Sequence, residues 1–432
     1  MLDTKRGRLT TFGILYMCEG VPLGFAAVAM AAYMRRQGMD VAQVGAFVGA
    51  FYLPWAFKWA WAPIVDLVKL RRFGGRKAWI VLCQTLMILT LYGVSRVDYT
   101  QSFDLLIAMV VVHNVFAATC DVAIDSLAVN ALRPEERGQG NGFMFAGAYI
   151  GQGLGGGGAI FVSGMYGFDV SFLYVALLLC LVLAFVIFFV RDPDLASVVS
   201  EKSAQVWQRF RAVLGSFAGE LYVGFFRSGK GPLLGVVFAL MPFGSMALSG
   251  GVSTTMQVDI GMSDDQIAQL NIYSTAISGV GCVVGGWLAD KLGKRKMLAL
   301  YYALTTLPTL YLAVEFSASG ADAVSIPQYF AASLAFYLFM GMHYGTAAAV
   351  FMGLTNPVIA ATQFTGFMAL RNLTISYTNT WQGAAADAWG YGTLLYADAF
   401  IAALPLLLIP FLSERRATGT PPSKGAPLPE AS

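Results

Sequence analysis

The chain has 432 residues, of which 57% are hydrophobic and only 12% are charged, and its formal net charge is +3. Soluble domains carry about twice that proportion of charged residues, so this composition excludes an ordinary soluble protein. The small net charge also excludes the strongly basic surface that binds nucleic acid. We therefore expect a polytopic membrane protein whose partners are the lipid bilayer and a small molecule.

Long apolar segments follow one another along the chain. A run of about 18 or more apolar residues crosses a bilayer as a helix, because lipid offers the backbone no other hydrogen-bond partner. The sequence predicts twelve such segments, here called span 1 to span 12: 12–33, 43–64, 79–95, 103–129, 139–164, 170–190, 231–257, 266–288, 297–315, 327–353, 361–386 and 391–412. The predicted fold class is all-α, with twelve transmembrane helices.

The connections between spans differ in charge. Lys and Arg are concentrated in alternate connections, whereas the others hold only Arg35, Arg36 and Arg96. Because cytoplasmic loops are the ones enriched in Lys and Arg, both termini are expected in the cytoplasm. The mixed apolar and charged stretch 191–230 predicts a cytoplasmic linker with an amphipathic helix. The Pro-, Gly- and Ser-rich tail 413–432 is expected to be disordered.

A short pattern after span 2 recurs after span 8. Asp66 is followed by Gly74-Gly75-Arg76-Lys77, and Asp290-Lys-Leu-Gly293-Lys-Arg295 repeats the theme; the two aspartates are 224 residues apart, as are Gly142 and Gly366. This fixed offset predicts two related six-helix bundles, 1–190 and 231–412. An Asp at a helix end can bind free backbone donors and nearby cations. We therefore predict a cytoplasmic latch made by Asp66, Arg76, Lys77, Asp290, Lys291, Gly293 and Arg295.

Several of these motifs resemble known families. Gly286-x-x-x-Asp290-Lys-x-Gly293-x-Arg295-Lys296 resembles the signature of the major facilitator superfamily. A narrower resemblance, to the AmpG-type muropeptide permease and acetyl-CoA transporter family with its siderophore importers, rests on Gly20-Val-Pro22-Leu-Gly24, Phe57-Lys58-Trp-Ala-Trp61-Ala-Pro63-Ile-Val-Asp66, Asp121-Val-Ala-Ile-Asp125, Glu136-Arg137-Gly-x-Gly140 and Ala361-Thr-Gln-Phe364. The resemblance implies a secondary transporter of the bacterial inner membrane. We expect a monomer without cofactor or metal.

Acidic side chains inside spans 1 and 4 are candidates for proton coupling. A charged residue at the centre of a bilayer costs at least ~2.5–3.5 kcal/mol, so it usually faces a cavity or a partner. Asp121 and Asp125 lie one turn apart on one face of span 4, which also carries Asn114. Asp121 is expected to serve the substrate or a proton, whereas Asp125 either shares that role or packs against loop cations.

Span 1 contributes Glu19, beside Gly20 and Pro22. Gly and Pro at this point predict a broken or kinked helix. Glu19 is then either a proton carrier or counter-ion for a cationic centre, or the structural partner of Lys58 or Arg371.

Span 11 has an unusually polar face that begins with Arg371 and Asn372 and includes Tyr377. A guanidinium at this depth suits bidentate binding of a carboxylate or phosphate on an anionic substrate. The alternative is an internal salt bridge to Glu19 or Asp121.

The remaining candidates are single residues on spans expected to line a central cavity. His113 and His343 occupy similar places in the two halves, and imidazole suits proton relay, although a packing role is equally open. Tyr149, Tyr344 and Tyr377 are placed to stack on a sugar or aryl ring. Gln152 lies in the span 5 stretch Gly147-x-x-x-Gly151-Gln152-x-x-Gly155-Gly156-Gly157-Gly158, whose glycines are expected to serve packing, with Gly279, Gly281, Gly285 and Gly286 of span 8 as a candidate matching surface. It stands where the superfamily's antiporter motif has proline, which disfavours drug–proton antiport, and its amide is a candidate substrate contact.

The leading functional hypothesis is a proton-coupled importer of a cell-wall muropeptide that works by alternating access. A siderophore importer is the closest alternative, followed by an acyl-CoA transporter and a sensor without flux. A membrane enzyme is disfavoured, because it would need a nucleophile with a base or clustered metal ligands, and the sequence predicts neither.

Overall fold

The computed structural model describes residues 1–67, 75–99, 101–133, 136–191, 211–212, 215–216, 218–219, 222–227, 230–319, 324–355 and 360–412. Within these ranges a helix occupies each of the twelve predicted spans and no strand occurs. The α-helices are Lys5–Gly24, Ala31–Arg36, Val41–Phe57, Ala62–Leu67, Arg76–Val94, Phe103–Ala131, Arg137–Gly153, Ala159–Tyr166, Phe168–Phe189, Lys230–Ala239, Gly251–Asp259, Asp264–Leu292, Lys294–Ser319, Ile326–Leu354 and Ala360–Ala403. The predicted all-α membrane fold is confirmed.

Eight helical stretches of the described chain are long and apolar enough to cross a membrane, and one of them, Gln363–Phe411, contains both span 11 and span 12. Spans 2, 5 and 7 are not among these eight, and each of the three contains an irregular turn or a break. A 3₁₀ turn at Lys58–Ala60 divides span 2, and a π-helical turn at Leu154–Gly158 divides span 5. Span 7 is non-helical between Ala239 and Gly251. Twelve crossings are therefore consistent with the described helices.

The break expected in span 1 does not occur. Helix Lys5–Gly24 runs through Pro22 and continues as a π-helical segment, Phe25–Met30, before Ala31–Arg36. Proline lacks a backbone donor, and the wider π turn directly after it accommodates the disturbance without ending the helix. The discontinuous helix is span 7, where the sequence analysis expected a continuous one.

Glycines of span 5 bring it into close contact with span 1. A side chain at Gly147 would meet the carbonyl of Gly13, and one at Gly20 would meet the carbonyl of Ala148. Gly281 and Gly285 of span 8 pack instead on Leu338 and Met342 of span 10. Gly147 and Gly151 therefore pack on span 1 and not on the span 8 glycines, whereas Gly156 and Gly157 of the same stretch do contact span 8, at Asn271 and Ala268.

Spans 1 and 5 are also joined by a buried ion pair where both helices begin. Arg8 donates from Nε and Nη2 to the two carboxylate oxygens of Glu136, at 2.8 and 2.6 Å. This guanidinium holds the pKa of the Glu136 carboxyl below its usual range. We call this side of the bundle the terminus end, since it holds the start of the chain, and the opposite side the Arg35 end.

The tail 413–432 and most of the linker 191–230 lie outside the described residues. Of the linker, a π-helical turn at Val223–Arg227 is described just before span 7. The amphipathic helix and the disordered tail remain predictions, as does the division of the chain into four segments.

Candidate functional site

Three acidic side chains and one lysine meet in the half formed by spans 1 to 6. Lys58 of span 2 forms an ion pair with Asp121 of span 4. Tyr16 of span 1 donates a hydrogen bond to Asp125, one turn further along span 4. Glu19 interacts electrostatically with both aspartates, and its Oε1 is buried without a hydrogen bond in the described structure. We call Tyr16, Glu19, Lys58, Asp121 and Asp125 the carboxylate cluster.

An interruption of the span 2 helix accompanies the approach of Lys58 to this cluster. The α-helix ends at Phe57 and is followed by the 3₁₀ turn Lys58–Ala60, before the next helix begins at Ala62. Trp55 lies one turn earlier, and the Lys58 ammonium is 5.2 Å from the centre of its ring. Trp55 in turn donates from Nε1 to Oδ1 of Asn114, at 3.2 Å. Asn114 is fully buried and donates to the Val110 carbonyl, so its contacts orient the tryptophan.

A buried cation occupies the other half. Arg371 of span 11 is only 6% exposed, and its Nη2 has no hydrogen-bond partner in the described structure. Its guanidinium carbon lies 4.2, 5.2 and 5.6 Å from the ring centres of three side chains that we call the aromatic cage, Phe243, Tyr344 and Phe351. Aromatic faces attract a cation but do not neutralise its charge. The alternative salt bridge to Glu19 or Asp121 is not formed among the described residues.

The break in span 7 delivers Phe243 to this cage. Gly244 and Gly250 lie within the irregular segment and have φ values of +81° and +78°, which only glycine adopts readily. The free N–H groups of Met246 and Ala247 donate to the Asp398 carboxylate of span 12, at 3.0 and 3.1 Å. Because these donors are satisfied, the segment can remain non-helical inside the bundle.

Side chains of spans 11 and 12 also stabilise the non-helical segment of span 7 by hydrogen bonds. Asp398 is fully buried and also accepts hydrogen bonds from Ser245 and Gln382, while Asn379 of span 11 accepts from the Gly251 N–H, at 3.2 Å. The sequence analysis overlooked Asp398. A lone Asp in apolar span 12, together with Met241-Pro-Phe-Gly244 and Ser249-Gly-Gly251 inside span 7, was the available signal.

Contacts between spans 2 and 11 place Lys58 of the carboxylate cluster and Arg371 at similar depth in the bundle. Ser376 donates to the Gly49 carbonyl at 2.7 Å, and Gly45 packs one turn away against Asn379 and Gly383. The two helices run in opposite directions, so continuing this register places Lys58 within about one turn of the level of Arg371. The turn at Lys58–Ala60 does contact the helix that carries Arg371.

Four other residues were predicted to bind the substrate, and the structure places each of them inside the bundle or between its halves. Tyr149 approaches Cys282 across the halves, with its hydroxyl 4.0 Å from the sulfur, and Tyr377 donates to the Leu240 carbonyl beside the span 7 break. Asn372 is half-buried. Gln152 lines a polar cavity between the halves. Their binding roles remain predictions.

The two histidines are buried in different surroundings. His113 forms a 2.9 Å hydrogen bond with Thr90 of span 3 and lines a small, mostly apolar cavity inside the first half. His343 stacks parallel to Phe243 and meets Tyr302 edge-on. Neither ring nitrogen of His343 has a partner in the described structure. His343 therefore adjoins the aromatic cage, whereas His113 lies apart from it.

Three members of the predicted latch, Arg76, Lys77 and Lys291, each contact a residue of their own half. Asp290 is exposed and forms no ion pair with a described residue, and Lys291 stacks on Trp287 of its own helix. Arg76 donates to Ser126, and Lys77 donates to the Ile187 carbonyl. Gly293 and Arg295 are exposed, and the Asp66 side chain lies outside the described part.

Ion pairs join the halves at the opposite end instead. Arg35 donates from Nε and Nη2 to both carboxylate oxygens of Asp259, each at 2.7 Å, and Arg36 pairs with Asp264 at 2.9 Å. Arg35 and Asp259 are 224 residues apart, which is the repeat offset. They occupy equivalent places at the ends of spans 1 and 7, so their contact lies at the pseudo-two-fold axis.

Asp387 adds a third contact at the Arg35 end. Its carboxylate accepts hydrogen bonds from the Val41 and Ala42 N–H groups, at 3.0 and 2.7 Å. These are free donors at the start of span 2, where the helix dipole favours an anion. This is the chemistry that the sequence analysis assigned to Asp66 and Asp290. We call Arg35, Arg36, Asp259, Asp264 and Asp387 the Arg35-end gate.

Reversing the charge of one gate residue should open this end. In the variant Arg35→Asp, two carboxylates face each other, and we expect the ratio of closed to open molecules to fall about tenfold, the effect of ~1.4 kcal/mol. The distance between spin labels at exposed positions Gln37 and Asp265, measured by double electron–electron resonance, should gain a longer component. The double exchange of Arg35→Asp with Asp259→Arg should restore the short distance.

Arg96→Asp provides the control for this prediction. Arg96 is exposed at the same end and contacts only Tyr92 of its own half, so its reversal should leave the distance unchanged. An unchanged distance in Arg35→Asp would show that the pair does not hold the halves together.

The chain matches the family model described as Major Facilitator Superfamily over residues 12–230. It therefore belongs to this superfamily of membrane transporters, and it is a multi-pass membrane protein that carries a small molecule.

Two relatives that match most of the chain carry the names of transporters. The chain is 25% identical over 418 residues to "Putative transporter AmpG 4" of Rickettsia felis, covering 94% of this chain and 96% of that protein. It is 25% identical over 412 residues to the anhydromuropeptide permease of Escherichia coli, covering 92% of this chain and 77% of the permease. The resemblance to AmpG-type transporters is confirmed.

Solved structures show the same fold. A crystal structure of a mutant of the peptide transporter POT in complex with sulfate is similar with a TM-score of 0.69 and 15% identity, covering 94% of this chain and 95% of that one. The crystal structure of a D-xylose–proton symporter gives a TM-score of 0.69 and 12% identity, covering 95% and 98%. At this identity the likeness concerns the fold alone.

Proposed function

We propose that this protein imports an anhydromuropeptide, together with protons, across the bacterial inner membrane by alternating access. The structural observation that carries the proposal is Arg371, a buried guanidinium without a carboxylate partner in the described structure. The likeness to the Escherichia coli anhydromuropeptide permease suggests the substrate class.

Arg371 suits an anionic substrate on energetic grounds. A buried charge is costly unless it is paired, and the aromatic cage compensates this cost only in part. An incoming carboxylate supplies the missing charge and binds the planar guanidinium through two hydrogen bonds. The carboxylates of a cell-wall peptide are groups of this kind.

The carboxylate cluster suits proton coupling. Glu19, Asp121 and Asp125 together would carry three negative charges against the single positive charge of Lys58. Each proton that the cluster takes up removes part of this excess, so proton binding is linked to the contacts among spans 1, 2 and 4. Glu19 is the preferred carrier, because its Oε1 has no hydrogen bond in the described structure.

The conformation fits one step of the transport cycle. Both termini are proposed to lie in the cytoplasm, because the Lys- and Arg-rich connections lie at the terminus end. The Arg35-end gate then closes the outer side, while Lys77 and Lys291 at the terminus end contact residues of their own halves. This arrangement corresponds to release of substrate into the cytoplasm.

Ligand-dependent stabilisation of the purified protein tests the substrate class. A ligand that binds only the native state raises its stability in proportion to the logarithm of its concentration. We expect an anhydro-disaccharide tripeptide to raise the unfolding midpoint, and we expect no rise with acetyl-CoA or a ferric siderophore. A rise with the siderophore alone would replace the muropeptide by a ferric chelate, and no rise with the muropeptide would contradict the proposal.

A further inference from the structure

A fully buried carboxylate in the second half takes no part in the proposed transport mechanism. Asp398 of span 12 is 0% exposed, and no cationic side chain of the described structure forms an ion pair with it. A buried charge without a cation is stable only where hydrogen bonds compensate it. Four described donors do so, and three of them belong to the break in span 7, namely Ser245 Oγ and the N–H groups of Met246 and Ala247. The charge of Asp398 is therefore compensated mainly by the break.

The two oxygens of this carboxylate serve different neighbours. Oδ2 accepts from Ser245 and from the Met246 and Ala247 N–H groups, the latter two at 3.0 and 3.1 Å. Oδ1 accepts from Gln382 of span 11 at 2.7 Å and, at the longer distance of 3.3 Å, from the Met246 N–H. One oxygen atom thus holds three successive residues of span 7 in place.

Span 9 also holds this part of the break. Thr309 is fully buried, and its hydroxyl oxygen lies 2.5 Å from that of Ser245. A side chain at Gly244 would lie 2.5 Å from Thr305 Oγ1, so the backbone packs directly against the same helix. Because Thr305 and Thr309 are one turn apart on one face of span 9, the break is held between spans 9 and 12.

Phe243 links this part of the break to Arg371. Its ring is 4% exposed, and its centre lies 4.2 Å from the guanidinium carbon, closer than the two other rings of the aromatic cage. Only Gly244 separates Phe243 from Ser245, and consecutive Cα atoms are about 3.8 Å apart. A movement of Ser245 away from Asp398 would therefore move the ring that is nearest to the cation.

The orientation of the guanidinium depends on this ring. Nη2 of Arg371 has no hydrogen-bond partner in the described structure, so no hydrogen bond fixes that side of the guanidinium and the aromatic contacts orient it. An arginine side chain that loses such a contact regains rotamer freedom, and an anion must then order it again on binding. A displaced Phe243 would consequently weaken anion binding without any change at Arg371 itself.

We propose that Asp398 is a positioning residue for anion binding, because it holds the break so that Phe243 orients the guanidinium of Arg371. The inference rests on the proposed function and adds a residue that acts on the binding site from span 12 through another side chain. The role needs an acceptor oxygen at the Oδ2 position rather than a negative charge. The variant Asp398→Asn can place its amide oxygen there and its NH2 group towards Gln382, whose amide can turn to accept. Asp398→Leu has a similar shape but no acceptor.

A double-mutant cycle tests the path through Phe243. Affinity for an anhydro-disaccharide tripeptide is measured by calorimetry on the purified wild-type protein, on Asp398→Leu, on Phe243→Ala and on the double variant. Each single variant should bind about threefold to tenfold more weakly, the range of one cation–π contact. The double variant should bind no more weakly than Phe243→Ala alone, because residues that act through one contact are not additive. Losses that multiply in the double variant would overturn the proposal.

Two milder variants keep the test valid if Asp398→Leu does not fold. Ser245→Ala removes one donor of the break and should bind the tripeptide about threefold more weakly, again without a further loss in the Phe243→Ala background. Asp398→Asn should bind within about twofold of wild type. A loss in Asp398→Asn as large as that in Asp398→Leu would show that Asp398 acts through its charge, and would overturn the positioning role.

The rate at which phenylglyoxal modifies Arg371, followed by peptide mapping of the ligand-free protein, gives a readout that needs no substrate. The rate should rise about threefold in Asp398→Leu and in Phe243→Ala, since the nearest ring no longer covers the guanidinium. Tyr329→Phe is the control, because it removes a buried hydrogen bond to the Ser253 carbonyl of span 7 beyond the break, and it should change neither rate nor affinity. An unchanged rate in Asp398→Leu would overturn the positioning of Phe243. Wild-type protein that does not bind the tripeptide would overturn the proposed function and leave the rate to decide the positioning role.

Discussion

Replacing Arg371 with methionine should weaken binding of the anionic substrate by about 10- to 100-fold, the range expected for a charged hydrogen-bonded contact. The same variant should raise the unfolding midpoint of the ligand-free protein. Methionine fills a similar volume among Phe243, Tyr344 and Phe351 and removes a buried charge without a carboxylate partner in the described structure. Such a replacement is often stabilising. Opposite changes in affinity and stability are the signature of a binding residue.

Two further variants give an intermediate case and a control for Arg371→Met. Arg371→Lys keeps the charge but loses the planar donor pair, so its affinity should fall between those of wild type and Arg371→Met. Arg96→Met also removes a guanidinium stacked on an aromatic ring, here Tyr92 at 4.8 Å, but at an exposed position. It should alter neither affinity nor stability. A destabilised Arg371→Met protein with unchanged affinity would show that Arg371 is structural and that the anion binds elsewhere.

Replacing Asp121 with asparagine should weaken the pH dependence of uptake, because Asp121 sets the charge balance around the preferred carrier Glu19. Asp121 is the direct partner of Lys58, and its loss changes the charge balance that links the cluster to protons. We expect uptake driven by a pH gradient to fall at least about tenfold, within the range of free-energy coupling between neighbouring charged groups. Exchange of substrate at equal pH should continue, because it needs no net proton transfer.

Asp104→Asn is the control for this prediction, since Asp104 lies on the same span and is exposed. It should leave the pH profile intact. The double variant Lys58→Met with Asp121→Asn should be more stable than either single variant, because each single change leaves a charge of the pair without its partner. An unaltered pH profile in Asp121→Asn would show that Asp121 does not set the charge balance around Glu19, with Glu19→Gln as the next variant.

The sequence predicted the spans well because hydropathy over about twenty residues is a local property. It also singled out Arg371, Glu19 and Asp121, since a charge inside an apolar run is visible without a structure. The sequence did not show which residues these charged side chains pair with. Lys58 was named as a structural partner for Glu19, but it pairs with Asp121, because the 3₁₀ turn that redirects it depends on tertiary packing.

The Arg35-end gate and the span 7 break show what a single sequence conceals. Arg35 was counted only as a cation in a connection otherwise poor in Lys and Arg, although its 224-residue separation from Asp259 equals the repeat offset. Asp398 was passed over because its partners are backbone N–H groups 151 and 152 residues away. Contacts between distant segments leave no periodic signal along the chain, so they emerge only once the helices are packed.

The central claim, proton-coupled import of an anhydromuropeptide, is tested most directly by flux in proteoliposomes. Labelled anhydro-disaccharide tripeptide is added outside vesicles that contain the purified protein, with an acidic exterior and an alkaline interior. We predict accumulation above the external concentration, collapse of that accumulation by a protonophore, and exchange with unlabelled substrate loaded inside. Binding without exchange would make the protein a receptor rather than a carrier, and accumulation that survives the protonophore would contradict proton coupling.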